Sequence, residues 1–189
     1  MTNVVLSAAA FLLDLDSELV WAGDAGTTEP SGATRRYGLE VGARVHLGAW
    51  LYADADATFT HAAFRANAGN GSAVALAPRR TLTAGVGVRR AFGDYTPFGA
   101  VRLKSLAERP ATEDESLTAE GFTIVDLNAG VRWKNVELAV DTQNLLDTKW
   151  REVTFANESR LGYERTAVAG IHYSPGWPRT VMGRGTLYW

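Results

Sequence analysis

Apolar and polar residues alternate along most of this 189-residue chain. From residue 36 to residue 47 the odd positions are Tyr, Leu, Val, Ala, Val and Leu, while the even positions are Arg, Gly, Glu, Gly, Arg and His. A period of two places successive side chains on opposite faces of a β-strand. We therefore predict a strand here, with one apolar face and one polar face.

The same period recurs in seven further segments, and no segment has the period of a helix. These segments are 11–21, 51–60, 81–89, 95–104, 125–133, 136–141 and 180–189. The apolar run from Val4 to Leu13 has no Lys or Arg before it, so we interpret it as the approach to the first strand rather than as a signal peptide. The sequence thus predicts an all-β fold of about eight antiparallel, up-and-down strands.

Short and long connections between these segments alternate strictly. Short turns are predicted near Gly48, at Gly93-Asp94 and at Lys134-Asn135. The long polar loops are 23–34, 65–78, 107–121 and 147–176. In an up-and-down sheet this order places every long loop at one end and every short turn at the other. Such asymmetry is typical of transmembrane β-barrels.

The pattern alone does not say which face meets water, because alternation looks the same when it is inverted. Large aromatic residues decide the question, since they collect at the strand ends near the short turns: Trp50, Tyr52, Phe92, Tyr95, Trp133, Tyr188 and Trp189. A membrane barrel carries such residues at its interface with the bilayer, whereas a soluble barrel would use them to fill its core. We therefore expect the apolar face to contact lipid and the polar face to line the lumen.

Charged residues on the polar face are accordingly predicted to face the lumen. They are Asp14, Asp16, Glu18, Arg36, Glu40, Arg44, Asp54, Asp56, Asp126 and Arg132. The carboxylates on neighbouring strands are also candidate ligands for a hard cation. Their balance by nearby arginines favours a salt-bridged lumen instead, so no metal site and no cofactor is predicted.

Composition and motifs exclude several other classes of function. The net charge of −2 gives no electrostatic reason to expect nucleic-acid binding, and without cysteine the chain has neither a disulfide nor a thiolate metal site. The three histidines are scattered, and the sequence has neither a nucleophile elbow nor the residues of a catalytic triad. We predict no catalytic residues and no enzymatic activity.

Two C-terminal stretches resemble motifs of the TonB-dependent outer-membrane receptors. Residues 137–150, ELAVDTQNLLDTKW, are similar to the end of the penultimate barrel strand in that family. The residues that match its motif are Asn144, Leu145, Leu146 and Asp147. Trp150 stands where the family usually has Tyr. Residues 175–181, PGWPRTV, resemble the stretch before the last strand through Pro175, Gly176, Pro178 and Arg179. Residues 13–40 look like a further piece of the same barrel. From the residues themselves, we expect Asn144 and Asp147 to hydrogen-bond the backbone where a strand becomes a loop.

The end of the chain resembles the assembly signal of outer-membrane proteins. Leu187 and Trp189 stand at outward positions, with Trp where the terminal residue is usually Phe. Gly183 and Gly185 depart from that signal, because larger apolar residues are common there. The resemblance implies the barrel-assembly machinery and outer-membrane lipid as partners.

The family resemblance implies a bacterial outer-membrane location and a part in TonB-dependent uptake of a scarce ligand, such as a siderophore-type metal chelate. Members of the family are twenty-two-stranded barrels with a plugged lumen. Residues 1–189 match only the C-terminal part of such a barrel, and we expect the plug domain to be absent from this chain. TonB would then act only through the missing plug.

Two other classes of function stay open at this point. A self-contained eight-stranded outer-membrane barrel with a structural or adhesive role is one, since an even number of strands permits closure. The other is a soluble ligand-binding barrel. A plug-encoding frame upstream of Met1 would separate the receptor from the first alternative.

Overall fold

The computed structural model describes residues 2–22, 27–66 and 72–189. Within these ranges every regular element is a strand. The strands are β1 (Thr2–Leu15), β2 (Leu19–Ala22), β3 (Thr27–Pro30), β4 (Thr34–Leu47), β5 (Leu51–Phe64), β6 (Arg80–Arg89), β7 (Tyr95–Leu106), β8 (Arg109–Pro110), β9 (Thr118–Ala119), β10 (Phe122–Trp133), β11 (Val136–Gln143), β12 (Arg151–Ser159), β13 (Val168–Pro175) and β14 (Thr180–Leu187). In the described part of the chain, no helix is long and apolar enough to cross a membrane.

Eight of these strands form one antiparallel sheet in the order β1-β4-β5-β6-β7-β10-β11-β14. Each strand of this sheet pairs with the sheet strands that precede and follow it along the chain, so the predicted up-and-down topology is confirmed. The sheet is open, with β1 and β14 at its edges. A 14-residue strand such as β5 spans about 35 Å when tilted as in a barrel. That length is enough to cross a hydrocarbon core about 30 Å thick.

The connections follow the predicted asymmetry. The short turns contain Gly48, Gly93 and Lys134, which have φ angles of 61°, 60° and 52°. These left-handed conformations are those that tight hairpin turns require. At the opposite end, three of the four long connections contain the small hairpins β2–β3, β8–β9 and β12–β13, and β2 lies mostly in residues that were predicted to belong to the first strand. Residues 23–26 and 67–71 of the predicted loops lie outside the described residues.

The strand register separates the main sheet into two faces. We call one the charged face, because directly paired residues across five strands include Arg44, Asp54, Gly85, Arg102 and Asp126. We call the other the apolar face, where the corresponding row is Val45, Ala53, Val86, Val101 and Leu127. Four guanidinium and carboxylate groups on one side and none on the other agree with the predicted division of the sheet.

The first strand is the exception, and its prediction was wrong. The sequence placed it at 11–21, but β1 runs from Thr2 to Leu15, so the run interpreted as the approach is itself the strand. Phe11 pairs with Gly38 and Leu13 with Arg36, which places the odd residues of β1 on the charged face. Both faces of β1 are rich in apolar residues, so alternation there did not indicate which face was which.

The described residues do not enclose a conventional hydrophobic core. The buried apolar residues are few and mostly small: Ala73, Val74, Ala111, Ala119, Ile124 and Ala139. Large apolar side chains on the apolar face are exposed instead, with Leu6 at 75% and Leu138 at 60%. Monomeric soluble proteins rarely expose an apolar surface that covers a whole sheet. This face therefore needs an apolar environment such as a bilayer.

Candidate functional site

Ion pairs cross the charged face between neighbouring and near-neighbouring strands. Arg102 Nη2 lies 3.1 Å from Asp54 Oδ2, and Lys104 Nζ lies 3.3 Å from Asp126 Oδ2. A looser pair joins Arg44 to Asp56 at 3.7 Å. The cations in these pairs are about half-exposed. Exposed pairs of this kind contribute little stability individually, so their main effect is to make this face polar and wettable.

Near the long loops a tighter cluster forms around Glu18. Arg36 Nη2 lies 2.6 Å from Glu18 Oε2, and the Thr34 hydroxyl donates to Glu18 Oε1 over 3.0 Å. Thr34 is fully buried. The cluster ties the loop after β1 to the start of β4 and places Glu18 beside the charged-face residue Arg36.

Two of the predicted lumen-facing carboxylates do not lie on the charged face. Asp14 pairs with Arg35 on the apolar face, where Arg35 Nε donates to Asp14 Oδ1 over 2.7 Å. Asp16 follows the end of β1 and has a fully exposed side chain, 3.9 Å from Arg65. The prediction was wrong for Asp14 because this residue is a charged group on the apolar face of β1, and for Asp16 because the predicted strand continued across the bend that ends β1. Asp14 and Arg35 instead mark the long-loop end of the apolar face.

The remaining two predicted charges lie on the charged face. Glu40 pairs with Thr58 and is exposed. Arg132 lies at the short-turn end, where its guanidinium is 4.0 Å from the centre of the Tyr188 ring and its Nε donates to the Lys134 carbonyl over 3.0 Å. Arg132 therefore helps to fix the end of β14.

A buried carboxylate at the short-turn end was not singled out from the sequence. Glu137 is only 4% exposed, and Arg89 and Arg184 approach its two oxygens at 3.5 and 3.4 Å. Arg89 lies on β6 and Glu137 on β11, with β7 and β10 between them in the sheet. The curvature of the sheet brings them together, and no local pattern in the sequence reveals that contact.

Asn144 is the centre of the motif found in the sequence. It is 3% exposed, has a φ of 50°, and follows the last residue of β11. Its Nδ2 donates to the carbonyls of Thr148 (2.9 Å) and Trp177 (3.1 Å), and its Oδ1 accepts from the Thr148 amide (2.9 Å). Asn tolerates this left-handed conformation better than most residues. The side chain thus hydrogen-bonds backbone groups at the end of β11, as expected.

The other motif residues extend this cluster to the start of β14. Asp147 has a φ of 53°, and its Oδ1 accepts from the Arg179 amide over 3.0 Å. Trp150 Nε1 donates to the Trp177 carbonyl over 3.1 Å, while its ring lies against Gly176. A Cβ atom on Gly176 would overlap that ring. The cluster thus closes the base of the 147–176 loop.

Four other motif residues have lesser contacts. Leu145 donates its amide to the Val125 carbonyl over 2.7 Å, and Leu146 is exposed. Pro175 pairs with Arg151 at the end of β13, and the Pro178 carbonyl accepts from the Thr180 hydroxyl over 3.1 Å. These contacts link the same loop base to β10, β12 and β14.

The loop layer above the sheet contains two groups with shifted pKa values. Hydrogen bonds from the hydroxyls of Thr112 and Ser116 and from the Ser116 amide lower the pKa of Asp114 to about 2. Burial lowers the pKa of Arg109, whose Nη1 is buried without a hydrogen-bond partner. Asp114 therefore stays ionised at physiological pH and holds its turn. Among the described residues no group of three or more His, Asp or Glu is arranged to hold a metal ion.

A protein-family model described as TonB dependent receptor-like, beta-barrel matches residues 2–145. The chain belongs to this family. The match includes seven of the eight strands of the main sheet, and it agrees with the resemblance already carried by the two C-terminal motifs. A search of curated proteins found no match.

Three solved receptors share the fold of this TonB-dependent receptor barrel. The ferric yersiniabactin uptake receptor of Yersinia pestis has 16% identity and a TM-score of 0.73, over 99% of this chain and 28% of the receptor. The ferric preacinetobactin receptor of Acinetobacter baumannii has 13% identity and a TM-score of 0.70, over 96% and 27%. The siderophore receptor PiuA of the same organism has 16% identity and a TM-score of 0.66, over 98% and 26%. The chain thus spans just over a quarter of the length of each.

Family membership gives the barrel its location, the bacterial outer membrane. The apolar face is exposed in the described sheet. Tyr95 and Trp133 stack on that face with ring centres 6.2 Å apart, beside the short turns. Leu187 lies at the end of the same face, and Trp189, which follows β14, is fully exposed. Tyr52 and Tyr188 lie on the charged face instead, so only part of the predicted aromatic girdle faces outward.

Proposed function

We propose that these strands are the C-terminal part of the barrel of a TonB-dependent receptor that imports a scarce ligand across the outer membrane. The observation that carries the proposal is the family match over residues 2–145. The open eight-stranded sheet supports it, because β1 and β14 leave edges to which further barrel strands can pair. The chain spans just over a quarter of the length of each solved receptor, as expected for part of a barrel.

The charged face lines the lumen in this proposal. Its ion pairs provide a wettable wall, whereas the apolar face provides the lipid-contacting band. A plug domain outside this chain fills the lumen and contacts TonB. Eight strands alone, without that plug, have no means of coupling import to TonB.

A siderophore-type metal chelate is the ligand class that we propose. The solved receptors with this fold include a ferric yersiniabactin receptor, a ferric preacinetobactin receptor and a siderophore receptor. Those names support the class and not a particular chelate. The loop layer around Arg109 and the β12–β13 hairpin is the surface of this chain that a ligand arriving from outside would meet first.

Insertion into the outer membrane is proposed to depend on Leu187 and Trp189, which the barrel-assembly machinery would recognise. Leu187 lies on the apolar face at the end of β14, and both side chains are exposed, so a partner protein can reach them. Outer-membrane lipid then covers this face.

An uptake assay tests the proposed function. The genomic frame that contains this chain and its upstream coding sequence is expressed in a Gram-negative host lacking its own receptors, with and without TonB. We expect accumulation of radioactive iron from at least one ferric chelate in the TonB-containing host only. The matched control is the 189-residue chain with an added signal peptide, for which we expect no uptake in either host. Equal uptake with and without TonB, or TonB-dependent uptake by the control, would contradict the proposal.

A self-contained eight-stranded barrel with a structural or adhesive role is the second candidate. The even number of strands in the main sheet favours it, since closure then requires only that β1 pair with β14. Single cysteines placed on β1 and β14 would form a disulfide in lipid if the sheet closes in this way. The receptor proposal expects no such cross-link.

A further inference from the structure

The apolar face carries formal charges at its long-loop end only. The strand register identifies every residue of the main sheet that lies on this face. Within these described strands, the Asp, Glu, Lys and Arg residues on the apolar face are Asp14, Arg35 and Arg80. A cation costs much less stability near a membrane interface than at the bilayer midplane. These residues therefore mark the level of the lipid headgroups if the apolar face lies in a bilayer.

Arg35 and Arg80 lie on either side of strand β5. Arg35 on β4 pairs with Ala63, and Arg80 on β6 pairs with Phe59. His61 lies between Ala63 and Phe59 on the same face of β5, so it is a diagonal neighbour of both arginines. Diagonal neighbours in a sheet are about 7–8 Å apart, which long side chains can bridge. The two guanidinium groups and the imidazole can therefore act on one ligand.

A cavity of about 430 Å³ opens at this end of the apolar face. Its lining residues are Arg35, Tyr37, His61, Ala63, Phe64 and Arg65. The rings of Tyr37 and His61 lie with their centres 5.0 Å apart. The cavity thus combines two guanidinium groups with aromatic surface, on the face that is otherwise aliphatic.

Cations exceed carboxylates around this cavity. Arg35 donates two hydrogen bonds to Asp14, of 2.7 and 2.9 Å, and Arg65 Nη1 lies 3.9 Å from Asp16. Arg80 is exposed and has no carboxylate partner among the described residues. Three guanidinium groups against two carboxylates leave a positive excess. A guanidinium has five N–H donors, so even Arg35 has donors left for another anion.

The surroundings of these cations favour a phosphate that is attached to acyl chains. Two N–H groups of a guanidinium match two oxygens of a phosphate. Directly beside the cations the apolar face continues with Leu39, Val41 and Phe59, all of which are exposed. A soluble anion would contact the cations and leave these apolar side chains uncovered. An anionic lipid would contact both.

We propose that Arg35, His61, Arg65 and Arg80 bind the phosphate of an anionic lipid headgroup. The outer leaflet as the source of this lipid rests on the proposed function, in which the long loops lie outside the cell. The binding itself depends only on residues of this chain. The site holds the long-loop end of β4, β5 and β6 at the level of the headgroups.

Native mass spectrometry of the full chain, folded in micelles of a nonionic detergent, measures this binding. Dioleoyl phosphatidic acid is the probe, and dioleoyl phosphatidylcholine, whose phosphate is balanced by its own choline, is the comparison lipid. We expect saturable binding of one phosphatidic acid at concentrations where phosphatidylcholine binds only weakly. Inorganic phosphate at the same concentration should not displace the lipid.

Three variants make the test specific. Arg80→Gln should weaken the binding of phosphatidic acid about fivefold, the usual effect of one cation at an anionic lipid surface. Asp14→Asn removes the carboxylate that competes for Arg35 and should tighten the binding. Arg44→Gln is the matched control, because Arg44 lies on β4 but on the charged face, 3.7 Å from Asp56. This change removes the same charge and should leave the binding unchanged.

The opposite effects of Arg80→Gln and Asp14→Asn separate the proposal from loss of folding, since a misfolded variant would not bind more tightly. Equal affinities for the two lipids would overturn the proposal. So would unchanged or weaker binding in Asp14→Asn, or equal losses in Arg44→Gln and Arg80→Gln. Displacement by equimolar inorganic phosphate would also overturn it, because the site would then recognise free phosphate. Selective lipid binding by a receptor that fails the uptake assay would reject the transport proposal and leave this one standing.

Discussion

Gly176 leaves room for the Trp150 ring at the base of the 147–176 loop. The Trp150 ring occupies the space that a side chain at position 176 would need. We expect Gly176→Ala to lower the free energy of unfolding by about 1–3 kcal/mol, as overpacking does elsewhere. Gly170→Ala is the matched control, because nothing lies within 4 Å of its added Cβ atom. Chemical denaturation in lipid vesicles measures both, and equal effects would contradict the described contact.

The lowered pKa of Asp114 predicts how its turn responds to pH. Its folded-state pKa of about 2 is below the ordinary value of 3.8 because of the Thr112 and Ser116 hydrogen bonds. The stabilisation of the turn is therefore complete above the ordinary pKa and is lost as the pH falls through about 2. In an NMR titration the Ser116 amide should respond with a midpoint near pH 2, and Asp114→Asn should abolish that response. A midpoint near pH 4 would contradict the lowered pKa.

At the scale of residues, the sequence predicted the hydrogen bonds that depend on local backbone geometry. Asn144 and Asp147 were expected to bond the backbone at a strand end, and their contacts lie within a few residues of the motif or at the start of β14. Glu137 was not singled out, because its partner Arg89 lies on a strand that is not its neighbour in the sheet. Such contacts depend on curvature, which residue alternation does not encode.

At the scale of elements, adjacent residues of β5 provide a matched pair. Ala57 lies on the apolar face against Val41 and Leu82, whereas Thr58 lies on the charged face opposite Glu40. Both are near the middle of the strand. We expect Ala57→Arg to lower the free energy of unfolding by about 2–4 kcal/mol, the cost of a cation at the bilayer midplane.

Thr58→Arg should cost much less, because its guanidinium meets water and the Glu40 carboxylate. Unfolding of both variants in lipid vesicles gives the comparison. Similar losses of stability in the two variants would contradict the assignment of the faces.

Alternation located β4 and β5 well and β1 poorly, for one physical reason. In β4 the even positions include Arg36, Glu40 and Arg44, so the pattern fixes both the strand and its faces. In β1 the residues from Val4 to Leu13 are nearly all apolar, so only Asp14 and the residues after it suggested which face was polar. Because Asp14 belongs to β1 but pairs with Arg35 on the apolar face, that suggestion gave the reverse of the observed faces.

At the scale of the whole molecule, the architecture follows from the order of its connections. Strict alternation of short turns and long loops predicted an up-and-down sheet with all long loops at one end, and the strand order confirms it. The small hairpins within the loops were not predicted. Four of their strands, β2, β3, β8 and β9, have only two or four residues, which is too short to show an alternating pattern.

The central claim is that the apolar face contacts lipid and the charged face lines a water-accessible lumen. The chain has no cysteine, so single cysteines introduced at successive positions of β5 carry the only nitroxide labels. Electron paramagnetic resonance in lipid vesicles then measures the collision of each label with oxygen, which concentrates in lipid, and with a water-soluble nickel complex. We expect odd positions from 53 to 59 to favour oxygen and even positions from 54 to 60 to favour nickel. The reverse phase, or no alternation, would contradict the account.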